Sequence, residues 1–155
     1  MDSRTALKAR GRGFTLVEIA LVAAILGVLA ALATSGWTEY RERALKASAI
    51  TTMRSISSAI DAFVAASGRL PADLAEVGMD SVLDPWRRPF RYSNLALTPK
   101  GQWRKDRFLV PINSTYDLWS MGPDGKSLPP LTAKASRDDI VRANDGTFYG
   151  WGSDY

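Results

Sequence analysis

Apolar side chains fill residues 14–33 almost without interruption. Leu, Val, Ile and Ala dominate, and the one ionisable group among them is Glu18, near the start. About 20 such residues make a helix of about 30 Å, enough to cross the hydrocarbon core of a bilayer. A carboxylate at that depth costs on the order of 2.5–3.5 kcal/mol by insertion scales, so Glu18 should have a partner or a task. Beyond the run the pattern changes. Ala49, Met53, Ile56, Ile60 and Phe63 recur at alternating steps of four and three, with Thr52, Arg54, Ser55, Ser58 and Asp61 elsewhere around the turn. That is one face of an amphipathic helix. No proline interrupts residues 14–70. The pattern therefore predicts one helix over residues 14–67, roughly 80 Å long. Gly68 ends it, and Pro71 follows where a helix stop expects it.

The remainder reads as short elements. Residues 71–83 suggest a short helix, and residues 84–92 a turn running into a strand. Residues 108–111 and 116–120 are further strand candidates, the latter alternating as a half-exposed strand should. Thr98-Pro99-Lys100-Gly101 is a loop or hairpin turn. The expected fold class is α+β: a long N-terminal helix whose second half packs on a small antiparallel sheet of three strands.

A short polar leader with Arg4, Lys8, Arg10 and Arg12 precedes the apolar run and should stay on the cytoplasmic side. A secretory signal peptide does not fit. Its apolar core spans about 7–15 residues and ends at a small-residue cleavage site, whereas this run is longer and no turn-forming break follows it. The stretch Gly13-Phe14-Thr15-Leu16-Val17-Glu18 resembles the N-terminus of type IV prepilins and type II secretion pseudopilins. The resemblance implies that a membrane aspartyl peptidase cuts between Gly13 and Phe14 and methylates the new Phe14 amine. It also implies that Glu18 pairs with the N-terminal amine of a neighbouring subunit during assembly. A buried carboxylate is tolerable when matched with a cation; the plain alternative leaves Glu18 hydrated at the headgroup boundary. Three segments follow: a leader over residues 1–13, a transmembrane and assembly helix over 14–36, and a periplasmic head over 37–155. Where many relatives carry a proline midway along the apolar helix, this chain has Ser35 beside Gly36. Where relatives have Gly in an Asp-Pro-Trp-Gly turn, it has Arg87, so that turn need not demand a positive φ.

Formal charge is +4, but most of it belongs to the leader; without residues 1–13 the chain is near +1. The interleaved cations and rings of residues 86–92 and 103–108 could bind single strands of nucleic acid. At that charge the expected arrangement is instead rings packed under the sheet and arginines facing solvent or acidic groups of neighbouring subunits, with no nucleic acid bound. There is no Cys and no His, which excludes thiol catalysis, histidine triads, disulfides and the usual zinc sites. Many type IV pilins close a C-terminal loop with a disulfide, and major pseudopilins typically lack it, so the resemblance is closer to the latter.

Asp124, Asp138 and Asp139, from two separated segments with Gly-rich turns, suit a hard cation, since calcium takes six to eight oxygens in flexible geometry. The major pseudopilin of type II secretion has a similar turn and a later acidic pair that bind calcium. The resemblance implies as ligands the carbonyl of Met121, the carboxylates of Asp124, Asp138 and Asp139, and the carbonyl of Ser136. Residues 126–135, with Pro129-Pro130, form a longer insert than the family pattern expects.

The resulting expectation is a structural subunit of a type II secretion pseudopilus rather than an enzyme. It would be single-pass in a bacterial inner membrane, with its head in the periplasm. Its partners would be copies of itself, minor pseudopilins, an inner-membrane assembly platform and prepilin peptidase. Rival readings are a type IV pilus subunit for adhesion, motility or DNA uptake, and a membrane-anchored periplasmic enzyme or binding domain; no clustered catalytic set supports the last.

Overall fold

The computed structural model describes residues 13–155, and only the backbone of residues 32–36. Arg4, Lys8, Arg10 and Arg12 of the expected leader, and the side chain of Ser35, lie outside the described residues. The chain divides into two compact units, Met1–Arg41 and Glu42–Tyr155.

Helix α1 (Leu16–Ser67) contributes to both. In the first unit its apolar side chains face solvent all round, Leu16 at 86%, Leu21 at 61% and Val28 at 62% exposure. No helix among the described residues is long and apolar enough to cross a membrane.

In the second unit α1 buries the predicted face. Ala49, Met53, Ile56 and Ile60 are fully buried, each large side chain stabilising the fold by about 1.5–3 kcal/mol. Phe63 departs from the expectation. It is only half-buried, and Val64, a full turn beyond Ile60, packs against the core instead. Gly68 ends the helix in the left-handed region at φ +71, donating its N–H to the Val64 carbonyl at 2.8 Å, the C-cap that glycine supplies without steric cost.

Against this face lies an antiparallel sheet of four strands in sequential order: β1 (Arg91–Asn94), β2 (Tyr116–Ser120), β3 (Ile140–Ala143) and β4 (Phe148–Trp151). Tyr92 pairs with Leu118, Trp119 with Val141, and Arg142 with Tyr149. Tyr116, Leu118 and Ile140 meet the helix, and the Tyr149 hydroxyl lies 2.9 Å from that of Ser57.

The expected three-strand sheet thus gains β3 and β4 and loses one candidate. Residues 108–111 form no strand. Asp106 accepts the N–H groups of Phe108 and Val110, both at 2.8 Å, closing a tight turn that leaves Phe108 and Leu109 exposed. Residues 71–83 hold only a single helical turn, Ala75–Val77, capped by the Asp73 carboxylate. Nor is β2 half-exposed. Its outer face is covered by Ile112 and Leu131, which cluster with Trp119 and with Val141 and Ala143 of the neighbouring β3.

Candidate assembly motif and C-terminal loop

Residues 15–18 form a reciprocal cap. Glu18 donates its N–H to the Thr15 hydroxyl at 3.2 Å, and Thr15 donates its N–H to the Glu18 carboxylate at 3.4 Å. This is a capping box, which satisfies two amide donors that a helix start leaves open. Both residues are exposed, so the carboxylate stays accessible at the head of an apolar surface. The Thr-x-x-Glu spacing signals such a cap, and reading Glu18 only as an intermolecular partner overlooks it. Gly13 and Phe14 lie just ahead of the helix, Phe14 with 79% of its surface exposed.

The second site begins at the turn after residue 83. Asp84 accepts the N–H of Trp86 at 3.0 Å and of Arg88 at 2.8 Å, while its other oxygen takes the Ser120 hydroxyl at 2.6 Å. Arg87 adopts φ +65 there. The expectation that losing Gly frees this turn from positive φ is therefore wrong. The two Asp84 hydrogen bonds hold the backbone in the left-handed region even with a Cβ present, which costs about 1–2 kcal/mol.

That geometry aims Arg88 at the loop after β2. Its guanidinium donates to the Gly122 carbonyl at 2.5 Å and to the Pro123 carbonyl at 3.3 Å. Gly125 lies so close that a Cβ there would stand 2.5 Å from the guanidinium carbon.

Arg104 approaches from the other side. It is 2% exposed, stacks on Trp119 with 5.0 Å to the ring centroid, and forms an ion pair with the fully buried Asp139. Its guanidinium also donates to the Ser127 hydroxyl and the Leu128 carbonyl, each at 2.6 Å, and Ser127 in turn donates to Asp139 at 2.6 Å. Burial pushes the Asp139 carboxyl above its ordinary range, with Arg104 and Ser127 pulling it back; burial likewise lowers the Arg104 pKa against the pull of Asp139.

Of the residues expected to ligate calcium, Asp124 and Asp138 come together: the Asp124 N–H donates to the Asp138 carboxylate at 3.0 Å. Asp124 itself accepts from the Lys126 N–H at 2.7 Å. The Met121 carbonyl accepts from Gly125 at 3.2 Å, and the Ser136 carbonyl from Asp139 at 3.4 Å. Asp139 turns inward onto Arg104. One oxygen of it, Oδ1, is buried with no protein hydrogen-bond partner, a feature that favours an ion. Against it, an ion there would stand beside a guanidinium, and Arg88 already takes two of the loop carbonyls. No group of three or more carboxylates able to hold a metal forms among the described residues. The donor set does not fit a calcium shell of six to eight oxygens.

The basic and aromatic residues divide. Phe90 is buried, and Trp86 and Tyr92 pack against the core, as expected of rings under a sheet. Phe108 and Arg104 reverse the expectation, the ring exposed and the cation buried. Nothing local marks Arg104, whose partner lies 35 positions away.

A long N-terminal helix resting its second half on a small antiparallel sheet, headed by Gly-Phe-Thr-Leu-x-Glu, defines a pilin-like protein. The family of the prokaryotic N-terminal methylation motif matches residues 8–34. Type II secretion system core protein G of Escherichia coli K12 is 31% identical over 123 residues, spanning 74% of this chain and 83% of that protein. The core protein G of Pectobacterium carotovorum is 32% identical over 124 residues, spanning 75% and 78%. Type IV major pilin protein PilE of Neisseria gonorrhoeae is 36% identical over 146 residues, spanning 87% and 86%. No solved structure matches. The chain belongs to the family of type II secretion core protein G, the major pseudopilin, within the wider group that includes the type IV pilins.

Proposed function

We propose that this chain is a structural subunit of a type II secretion pseudopilus, not an enzyme. Prepilin peptidase cuts between Gly13 and Phe14 and the Phe14 amine is methylated. Residues 14–36 then anchor the subunit in the inner membrane with its head in the periplasm. On assembly with copies of itself, minor pseudopilins and an inner-membrane platform, the Glu18 carboxylate pairs with a neighbour's amine. The observation that carries this reading is the motif itself: an exposed Glu18 at the head of a helix surface that is apolar all round. Such a surface must be covered by lipid or by other apolar helices, and a carboxylate within it needs a cation. Core protein G of six organisms supports the secretion assignment.

The similarity to a major pilin over most of the chain favours a second reading, a type IV pilus subunit. Deleting the gene in its host separates the two. The secretion reading predicts that exported proteins accumulate in the periplasm while surface pili persist. Loss of pili with secretion intact assigns the chain to the pilus.

A further inference from the structure

We propose that the C-terminal loop is closed by Arg88 and Arg104, whose guanidinium groups stand where an ion would otherwise gather the loop, so that the folded head does not depend on calcium. The loop carries two kinds of acceptor that a hard cation would need, main-chain carbonyls after β2 and carboxylates before β3. Arg88 takes the first kind. It bridges the carbonyls of Gly122 and Pro123 and is itself fixed through its N–H to Asp84, which also holds the Ser120 hydroxyl. Ser120 completes the tie by accepting the Gly122 N–H at 3.1 Å. At Gly125 (φ +68) a side chain would collide with this guanidinium, and at Gly122 (φ +59) one would collide with the Asp138 carbonyl.

Arg104 takes the second kind. Its planar fork presents several donors in fixed directions, and here they reach Ser127, Leu128 and Asp139 together. Residues 126–135, through Ser127 and Leu128, are the segment Arg104 grips. Main-chain bonds seat the insert further: Lys105 donates to the Pro129 carbonyl at 3.1 Å and accepts from the Leu131 N–H at 2.9 Å, and the Ser136 hydroxyl binds both polar groups of Leu128.

The charge balance points the same way. Asp139 is fully buried and compensated by one guanidinium, so a divalent ion at the same carboxylate would face a like charge in a poorly screened site. Asp124 and Asp138 remain near the surface, each accepting a main-chain N–H that needs no ion.

The test is the thermal midpoint of the full chain in detergent, measured with chelator and again with millimolar calcium. The proposal predicts the same midpoint in both. Arg104→Met strands Asp139 in the interior and lowers the midpoint by roughly 10 °C or more in both solutions. Arg104→Lys, which keeps the charge but not the fork, falls between the two. Arg88→Leu lowers it less, because one of its two acceptors, the Pro123 carbonyl, belongs to an exposed residue and is rehydrated. A wild-type midpoint that drops on chelation and recovers with calcium overturns the proposal, whether or not the Arg104 variants fold.

Discussion

Thr15 and Glu18 cap each other's main-chain amides at the start of helix α1. The same carboxylate is therefore a local structural group and the candidate partner for a neighbour's amine. The two roles are separable. Glutamine serves at the third position of a capping box as glutamate does but carries no charge. Glu18→Gln should keep helix content and membrane insertion while sharply reducing fibres in the sheared fraction. Thr15→Ala should loosen the first turn, by about 1 kcal/mol, and leave Glu18 charged and assembly present. If Glu18→Gln assembles as the wild type does, capping is the whole of its task.

Arg87 sits at φ +65 between residues that bind Asp84 and the loop. Glycine adopts that conformation without the Cβ clash, though it raises the entropy of the unfolded chain. Arg87→Gly should therefore raise stability by up to about 1 kcal/mol, read as a higher denaturation midpoint with an unchanged slope. A lower midpoint would show that the arginine side chain contributes more than its backbone strain costs.

Asp145 ties the β3–β4 turn to the segment before β2 by accepting the Ser114 N–H at 2.9 Å and its hydroxyl at 2.7 Å. Burial alone would raise its carboxyl, but the Ser114 bonds and the nearby Arg142 hold it below the ordinary carboxylate range. Glu76 is held low as well, first by its hydrogen bond from Arg69 and then by the Ala72 N–H. A carboxyl depressed in the folded state contributes stability above its unfolded pKa, and that contribution is lost as pH falls through the folded value. Asp145 should therefore contribute a loss of thermal midpoint from about pH 5 downward, and Asp145→Asn should decline less steeply than wild type. Parallel acid profiles would show that Asp145 contributes nothing to acid sensitivity.

How much of this was legible in the sequence depends on the range of the interaction. The helix and its buried face were readable because Ala49, Met53, Ile56 and Ile60 repeat with the helical period. Phe63 misled because the stripe advances by four at that point, to Val64. Strand β3 was hidden by Arg142, a cation inside a strand buried on both faces. Its guanidinium lies over the Tyr116 ring at 3.9 Å to the centroid and donates to Asn113 at 3.1 Å. The Asn144-Asp145-Gly146 turn, all at positive φ, was a hairpin signal of the kind that joins paired strands. The pairing of Arg104 with Asp139 could not be read locally, since a buried ion pair leaves no period in the sequence. For the same reason the acidic pair suggested one donor set, where the structure divides Asp138 from Asp139.

A processed fibre subunit carries a defined N-terminus. Intact mass analysis of the protein recovered from fibres sheared off its native cells reads that terminus. The expected chain begins at Phe14 and carries one methyl group on its amine. A chain that still begins at Met1, or fibres that contain none of this protein, would contradict it.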